Sequence, residues 1–373
     1  MLFRSIEISL GAFHSAALTN SGRVFTWGYN EYGQLGDGTD EGKNTPIEIT
    51  DKFTLQDGEK VISVTLGDYH SAVITNFSRI FIWGDNHYGQ LGDSIEENKD
   101  TPTEITFNNL TDEEKVISVD LGCYHSAVIT NFGRLFTFGD NECGQLGDGT
   151  VENKLFPTEI KYTIIIKRDF SIDTNISYIS LGNSHSAAIT SEGHVFTWGD
   201  NYYEQLGDGT SMNKYFPNKI MSYFSLNEGE KIISVDLGSF HSAAITSEGR
   251  VFTWGENSSG QLGDWTTTNK NIPIEITNNL DLIGEEKVIG VSLGNSHSAA
   301  ITSEGRVFTW GENGNGQLGD GTFDNKNTPT EITDKFMLQD GEKVIRVSLG
   351  EYHSAAITSE GRVFTWGWNH FGQ

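Results

Sequence analysis

Seven His-Ser pairs are the residues of this chain whose types could do chemistry. They begin at His14, His70, His125, His185, His241, His297 and His353. An imidazole beside a hydroxyl suggests a base and the nucleophile it activates. Each pair stands in a short β-branched run such as His70-Ser-Ala-Val-Ile-Thr75, which reads as a strand. Adjacent residues on a strand point to opposite faces, so His70 cannot take the proton of Ser71. Equivalent histidines of a repeat array stand too far apart to share one metal ion. Gly314-Asn-Gly-Gln-Leu-Gly319 matches a dinucleotide fingerprint, but no helix follows to receive a phosphate. The Gly36-Asp-Gly-Thr39 type of loop lacks the alternating acidic ligands of a calcium site and reads as a turn. No catalytic residue, metal or cofactor is therefore expected. The seven histidines are expected to serve the framework, each as a buried imidazole bonded to loop backbone.

The elements that hold these pairs repeat with them. Successive histidines are 56, 55, 60, 56, 56 and 56 residues apart. A fixed period of this size means one supersecondary unit repeated in a ring or an array. Each unit reads as four short strands: VISVxLG, HSAxIT, RVFTWG and a segment around TPxEI. Gly, Asn, Asp and Ser mark the turns. No segment keeps a helical period. Four antiparallel strands in seven copies predict an all-β, seven-bladed propeller, one domain over residues 1–373. Small residues such as Gly67, Ser71 and Ala72 suit the crowded axis. Phe25 and Trp27, or Phe81 and Trp83, fill the wider outer parts, and Phe138 replaces the Trp in the third copy.

The phrase LGxxHSAAITSEGRVFTWGxNxxGQLGDGT resembles the regulator-of-chromosome-condensation repeat, and all seven copies carry its central motif. The resemblance implies a seven-bladed propeller. It also implies a choice of functions: guanine-nucleotide exchange on a small GTPase, chromatin binding, regulation within large ligases, or inhibition of a lactam-hydrolysing enzyme by a bacterial protein. A fold does not choose among these.

The last copy stops at Gly367-Trp-Asn-His-Phe-Gly-Gln373, before a fourth strand. Seven full periods need about 20 more residues. The expectation is either a fragment or a ring closed by a three-stranded blade. The net charge of −26 disfavours nucleic acid and anionic membranes as partners, and no basic patch offsets it. Cys123 and Cys143 make no disulfide framework, and no signal or transmembrane segment is visible. A soluble monomer is expected.

Positions constant in all copies serve the blade, and positions that vary are free to specify a partner. The first and third strands run the same way, so their exits share a face. That face is aromatic: Phe13, Tyr69, Tyr124, Phe240 and Tyr352 precede histidines, while Tyr29, Tyr32, His87, Tyr88, Tyr202, Tyr203, Trp368, His370 and Phe371 follow the third strand. Blades five and six carry Ser258, Ser259, Gly314 and Asn315 instead. The opposite face, with its Ser-Glu-Gly turns and Asp-Gly-Glu-Lys connections, is acidic and monotonous. Tyr and Trp dominate interface hot spots. The expectation is a non-catalytic scaffold binding a protein through the aromatic face, off-centre toward blades one to four and seven. The alternatives are an exchange factor for a small GTPase and an enzyme inhibitor. The irregular stretch from Lys161 to Tyr178 is expected to be a variant outer strand.

Overall fold

The computed structural model describes residues 5–107, 110–161 and 175–373. Blade one comprises β1 (Ser5–Leu10), β2 (His14–Thr19), β3 (Val24–Gly28) and β4 (Lys43–Glu48). Blade two comprises β5 (Val61–Leu66), β6 (His70–Thr75), β7 (Ile80–Gly84) and β8 (Lys99–Ile105). Blade three follows with β9 (Val116–Leu121), β10 (His125–Thr130), β11 (Leu135–Gly139) and β12 (Lys154–Glu159). Blade four has β13 (Ile176–Leu181), β14 (His185–Thr190), β15 (Val195–Gly199) and β16 (Lys214–Lys219). Blade five has β17 (Ile232–Leu237), β18 (His241–Thr246), β19 (Val251–Gly255) and β20 (Lys270–Glu275). Blade six has β21 (Val288–Leu293), β22 (His297–Thr302), β23 (Val307–Gly311) and β24 (Lys326–Glu331). Blade seven has β25 (Val344–Leu349), β26 (His353–Thr358) and β27 (Val363–Gly367), and no fourth strand among the described residues. Every sheet is an antiparallel meander in chain order. This is the seven-bladed propeller that the repeat predicts, and its last blade is three-stranded.

The first strand of each blade lines a narrow axial channel of about 160 Å³. Adjacent first strands approach so closely that a Cβ on Gly11 would lie 2.3 Å from the Gly67 carbonyl oxygen. Larger residues follow outward. The second strands are buried throughout, and Trp83, Trp198, Trp254 and Trp310 are fully enclosed between blades. Each apolar cluster therefore spans two blades. One joins Ala16, Leu18 and Val24 of blade one to Val64, Phe81 and Trp83 of blade two. Another closes the ring by joining Ile8, Leu10 and Trp27 to Ala355 and Ile357.

The third-strand arginine ties the outer blade together. Arg79 donates through Nε and Nη2 to Glu104 on β8, at 2.8 and 2.6 Å, and through Nη1 to Glu59, at 2.7 Å. Its guanidinium lies over the Phe81 ring, 4.8 Å from the centroid. Arg134, Arg250 and Arg306 repeat the arrangement. This corrects one expectation. The glutamate of the Asp-Gly-Glu-Lys connection is not a solvated surface charge. Glu59, Glu230 and Glu342 are buried, and Glu59 also accepts from the Thr75 hydroxyl and the Gln56 amide. Burial there is offset by charged hydrogen bonds from the arginine of the same blade. Of the irregular stretch, residues 162–174 lie outside the described residues; Ile176 to Tyr178 open β13, an inner strand rather than an outer one.

Candidate functional site

Two sets of side chains carry the chemistry: the histidine ring near the hub and the aromatics on one face. In the ring, each imidazole reaches across to the next blade. His14 Nε2 lies 2.9 Å from Ser71 Oγ, and the pattern runs through His70–Ser126, His125–Ser186, His185–Ser242, His241–Ser298 and His297–Ser354. His353 closes it on Ser15 at 3.2 Å. The expected partner, loop backbone, is thus replaced by a neighbour's hydroxyl. Strand alternation gave the face on which His points but not what the next blade presents there.

The serine proton is already committed. Ser71 Oγ–H donates to the Gln34 carbonyl at 2.8 Å, and the Trp83 indole N–H donates to the same oxygen at 2.9 Å. The hydroxyl must therefore accept from His14 Nε2–H, which fixes that tautomer. The same carbonyl hub recurs at Gln145, Gln205, Gln261 and Gln317. Gly36 explains the next residues of that loop: it has φ +72° and lies flat on Trp83, where a Cβ would sit 2.6 Å from the indole nitrogen. Burial pushes all seven imidazoles down to about 3, so they stay neutral. A neutral imidazole that donates to its serine cannot also deprotonate it. Among the described residues, no group of three or more His, Cys, Asp or Glu side chains is placed to hold a metal ion.

The aromatic residues fall into two groups. The larger is one unbroken network across blades seven, one, two and three. Phe13 is its centre, with Trp368 at 5.3 Å, Phe371 at 5.8 Å, Tyr352 at 6.3 Å and Tyr69 at 6.4 Å between ring centroids. Tyr29 and Tyr32 extend it on blade one, Tyr32 reaches His87, and Tyr69 stacks on Tyr124 at 5.5 Å, which in turn meets Tyr88. His370 stacks on Trp368. The smaller group, Tyr202, Tyr203 and Phe240, lies on blades four and five. Most of these rings are half-buried against one another; Tyr202 is 74% exposed.

Two carboxyls at the channel mouth flank this network, and the sequence reading passed over both. Asp68 and Glu351 precede Tyr69 and Tyr352 and line the axial channel. Burial, and then the charge of Asp68, push Glu351 up to about 8. Burial raises Asp68 as well, against the Cys123 thiol. Cys123 and Cys143 are both free thiols. Among the described residues, no helix is long and apolar enough to cross a membrane.

A seven-bladed propeller whose blades are joined by a repeated His–Ser–Gln–Trp linkage defines the class of protein. Residues 2–333 match the RCC1-like domain model, and residues 344–373 match the regulator of chromosome condensation (RCC1) repeat. The chain belongs to the RCC1-like family. It is 30% identical over 367 residues to the ultraviolet-B receptor UVR8 of Arabidopsis thaliana, covering 98% of this chain and 77% of that protein. It is also 30% identical over 360 residues to the mitochondrial RCC1 domain-containing protein RUG3 of the same plant, covering 95% and 76%. The E3 ubiquitin-protein ligase HERC2 of Homo sapiens is 29% identical over 357 residues, which are 95% of this chain but 7% of the ligase. Among solved structures, human WBSCR16 superposes with a TM-score of 0.82 at 23% identity, over 96% of this chain and 88% of that one. Yeast RCC1 (Prp20), solved bound to Kap60, gives 0.78 at 20% identity, over 99% and 81%.

Proposed function

We propose that this chain is a non-catalytic interaction module that binds a protein through its aromatic face. One observation carries the reading: the rings from Trp368 to Tyr124 touch in series across four blades and remain partly open to solvent, while Phe323 of blade six is exposed outside that series. Half-exposed Tyr and Trp in contact with one another lose little side-chain entropy when a partner covers them. The bound protein sits off-centre, over Phe13, Tyr69 and Tyr352. Non-catalysis rests on the committed serine protons and neutral histidines of the ring. The net charge of −26 favours a partner that presents basic groups to this face.

The test is a paired capture from a lysate of the source organism. One bait is the protein itself; the other carries Tyr32→Ala, Tyr69→Ala and Tyr88→Ala and must first show an unchanged circular dichroism spectrum. A partner held by the first bait and lost by the second supports the reading. Equal retention on both baits overturns it. A small GTPase among the captured proteins sends the protein to a nucleotide-exchange assay, and an enzyme sends it to an inhibition assay.

A further inference from the structure

The face opposite the aromatic network is not uniform. In blades four to seven the turn between the second and third strands reads Ser-Glu-Gly. Its glutamate reaches the lysine that opens the next blade: Glu192 lies 3.5 Å from Lys231 Nζ, Glu248 3.1 Å from Lys287 and Glu304 3.0 Å from Lys343. In blades two and three the same turn reads Asn76-Phe77-Ser78 and Asn131-Phe132-Gly133. The anchoring is kept. Lys60 and Lys115 donate their backbone N–H to Asn76 Oδ1 and Asn131 Oδ1, both at 2.8 Å, as Lys287 donates to Ser303 Oγ. Only the middle residue differs: a carboxylate gives way to a phenyl ring, 47% exposed in Phe77 and 53% in Phe132.

The lysines of this sector lose their partners as well. Each turn faces the opening lysine of the next blade; a Cβ on Gly22 would lie 2.9 Å from Lys60 Cβ, and one on Gly249 2.6 Å from Lys287 Cβ. Where Lys287 has Glu248, Lys60 has Ser21 and Lys115 has Phe77. Both lysines are exposed, and among the described residues neither ammonium has an ion-pair partner. Ser78 also holds φ +62°, at a position that is glycine in the other six copies. That conformation is unfavourable for a residue with a Cβ. Ile62 and Ile117, 48% and 53% exposed, are the unpaired residues of bulges in β5 and β9. Thr75 pairs with Val61, so Ile62 and Phe77 stand one and two residues from the same pair. Apolar side chains left in water on an otherwise charged face mark an interaction site.

We propose that the turns of blades two and three form a second docking surface, for a protein segment whose aliphatic or aromatic side chains are flanked by carboxylates. The occupant follows from what the turns have exchanged. The phenyl rings and isoleucines call for apolar cover, and Lys60 and Lys115 call for the carboxylates that their turns do not supply. Asp57, Asp112 and Glu113 are exposed in the adjoining connections. They repel an extended polyanion such as nucleic acid or an anionic bilayer, whereas a segment can place single carboxylates at the two lysines. β5 runs from this surface at Ile62 toward the aromatic face at Tyr69, so the two sites occupy opposite ends of the blade.

The experiment pans a phage-displayed library of random peptides on the intact protein, with counter-selection on the Phe77→Glu, Phe132→Glu protein. Each change installs the residue that blades four to seven use at that position, so the melting temperature should be unchanged or slightly higher. Enriched peptides should combine Asp or Glu with Leu, Ile, Phe or Trp. A labelled synthetic copy should bind saturably and one to one in fluorescence anisotropy. It should bind the double variant at least about tenfold more weakly, and Lys115→Gln about two- to fivefold more weakly. The Tyr32→Ala, Tyr69→Ala, Tyr88→Ala protein should bind it as well as the parent does. The proposal is overturned if no peptide distinguishes the parent from the double variant, if the selected peptides lack acidic residues, or if binding falls with the three tyrosines rather than with the phenylalanines. It is likewise overturned if the double variant melts well below the parent, because the two rings then belong to the core.

Discussion

The His–Ser ring around the hub is the same at all seven junctions, whereas the aromatic face changes from blade to blade. The two are built a residue apart: Phe13 adjoins His14, and Tyr69 adjoins His70. At the hub, each side chain must satisfy a neighbouring blade, so any change in one copy leaves a buried group of the next without its partner. On the face, a side chain ends in solvent or against another ring, and Phe, Tyr or Ser is tolerated. The repeat thereby separates cohesion from recognition within one strand end. Changes that break the hub should cost stability, and changes on the face should cost only binding.

The largest effect should come from acid. The folded imidazoles titrate near 3, whereas exposed histidine titrates near 6.5. Their contribution to stability is therefore complete above pH 6.5 and is lost as pH falls through the range toward 3. Each adds at most about 1.4 kcal/mol per pH unit. Carboxyls raised by burial, such as Glu351, work in the opposite sense but are fewer. Melting temperature should drop steeply between pH 6.5 and 5, and a flat profile there would show that the ring accepts protons while folded.

Next in size is the indole that shares the glutamine carbonyl. Trp254 is fully buried, donates to the Gln205 carbonyl at 2.9 Å and packs edge-on against Phe224. Trp254→Ala should cost about 3–5 kcal/mol in urea unfolding. Trp366 makes the same bond to Gln317 but is only half-buried. Trp366→Ala should cost about 2 kcal/mol. Equal losses would mean that Trp366 is as well covered as an indole at an inner junction.

These cases show how far the sequence could be read. The 56-residue period, the strand runs and the small residues before each histidine were sufficient for the propeller and for its three-stranded blade, because each depends on chain order. The partners of His14 and Glu59 were not legible. Ser71 is 57 residues from His14, and only the packing of one blade on the next brings them together; Arg79 is 20 residues from Glu59, and only the pairing of strands within blade two brings those two together. Asp-Gly-Glu-Lys looked like surface because Glu is normally exposed; its identical recurrence was the signal of a structural role. The aromatic residues were legible as a list, but not as one network of eleven rings and a separate trio, since that division depends on which blades are neighbours.

On the face, Tyr69→Ala should reduce partner affinity by about tenfold or more. Its melting temperature should shift by less than that of Trp366→Ala, because the Tyr69 ring is only half-buried among Phe13, Tyr32 and Tyr124. A titration with the captured partner, beside a thermal scan, separates the two effects. A large loss of stability with unchanged affinity would place Tyr69 with the hub rather than with the face.

The smallest effect tests the one place where the hub itself departs from its rule. The channel position that bridges first strands is Ser9, Ser180, Ser292 or Ser348 in four blades, where the hydroxyl accepts the leucine N–H of the next blade. In blades three and five it is Asp120 or Asp236, each accepting at 2.7 Å from Leu181 or Leu293. Burial pushes Asp120 up to about 8 and Asp236 up to about 7. A carboxyl raised in this way contributes fully below its unfolded value near 4, and that contribution is lost as pH rises through about 8. Asp120→Asn keeps an oxygen for Leu181 and removes the charge. Because Asp120 is only half-buried and borders the channel, the gain should be small: a melting temperature about 2 °C higher at pH 8.5, and a smaller gain at pH 5.5, where less of that contribution has been lost. A lower melting temperature at both values would mean that the ionised carboxylate is the form the junction uses, and that its charge, not only its shape, is part of what joins these two blades to the next.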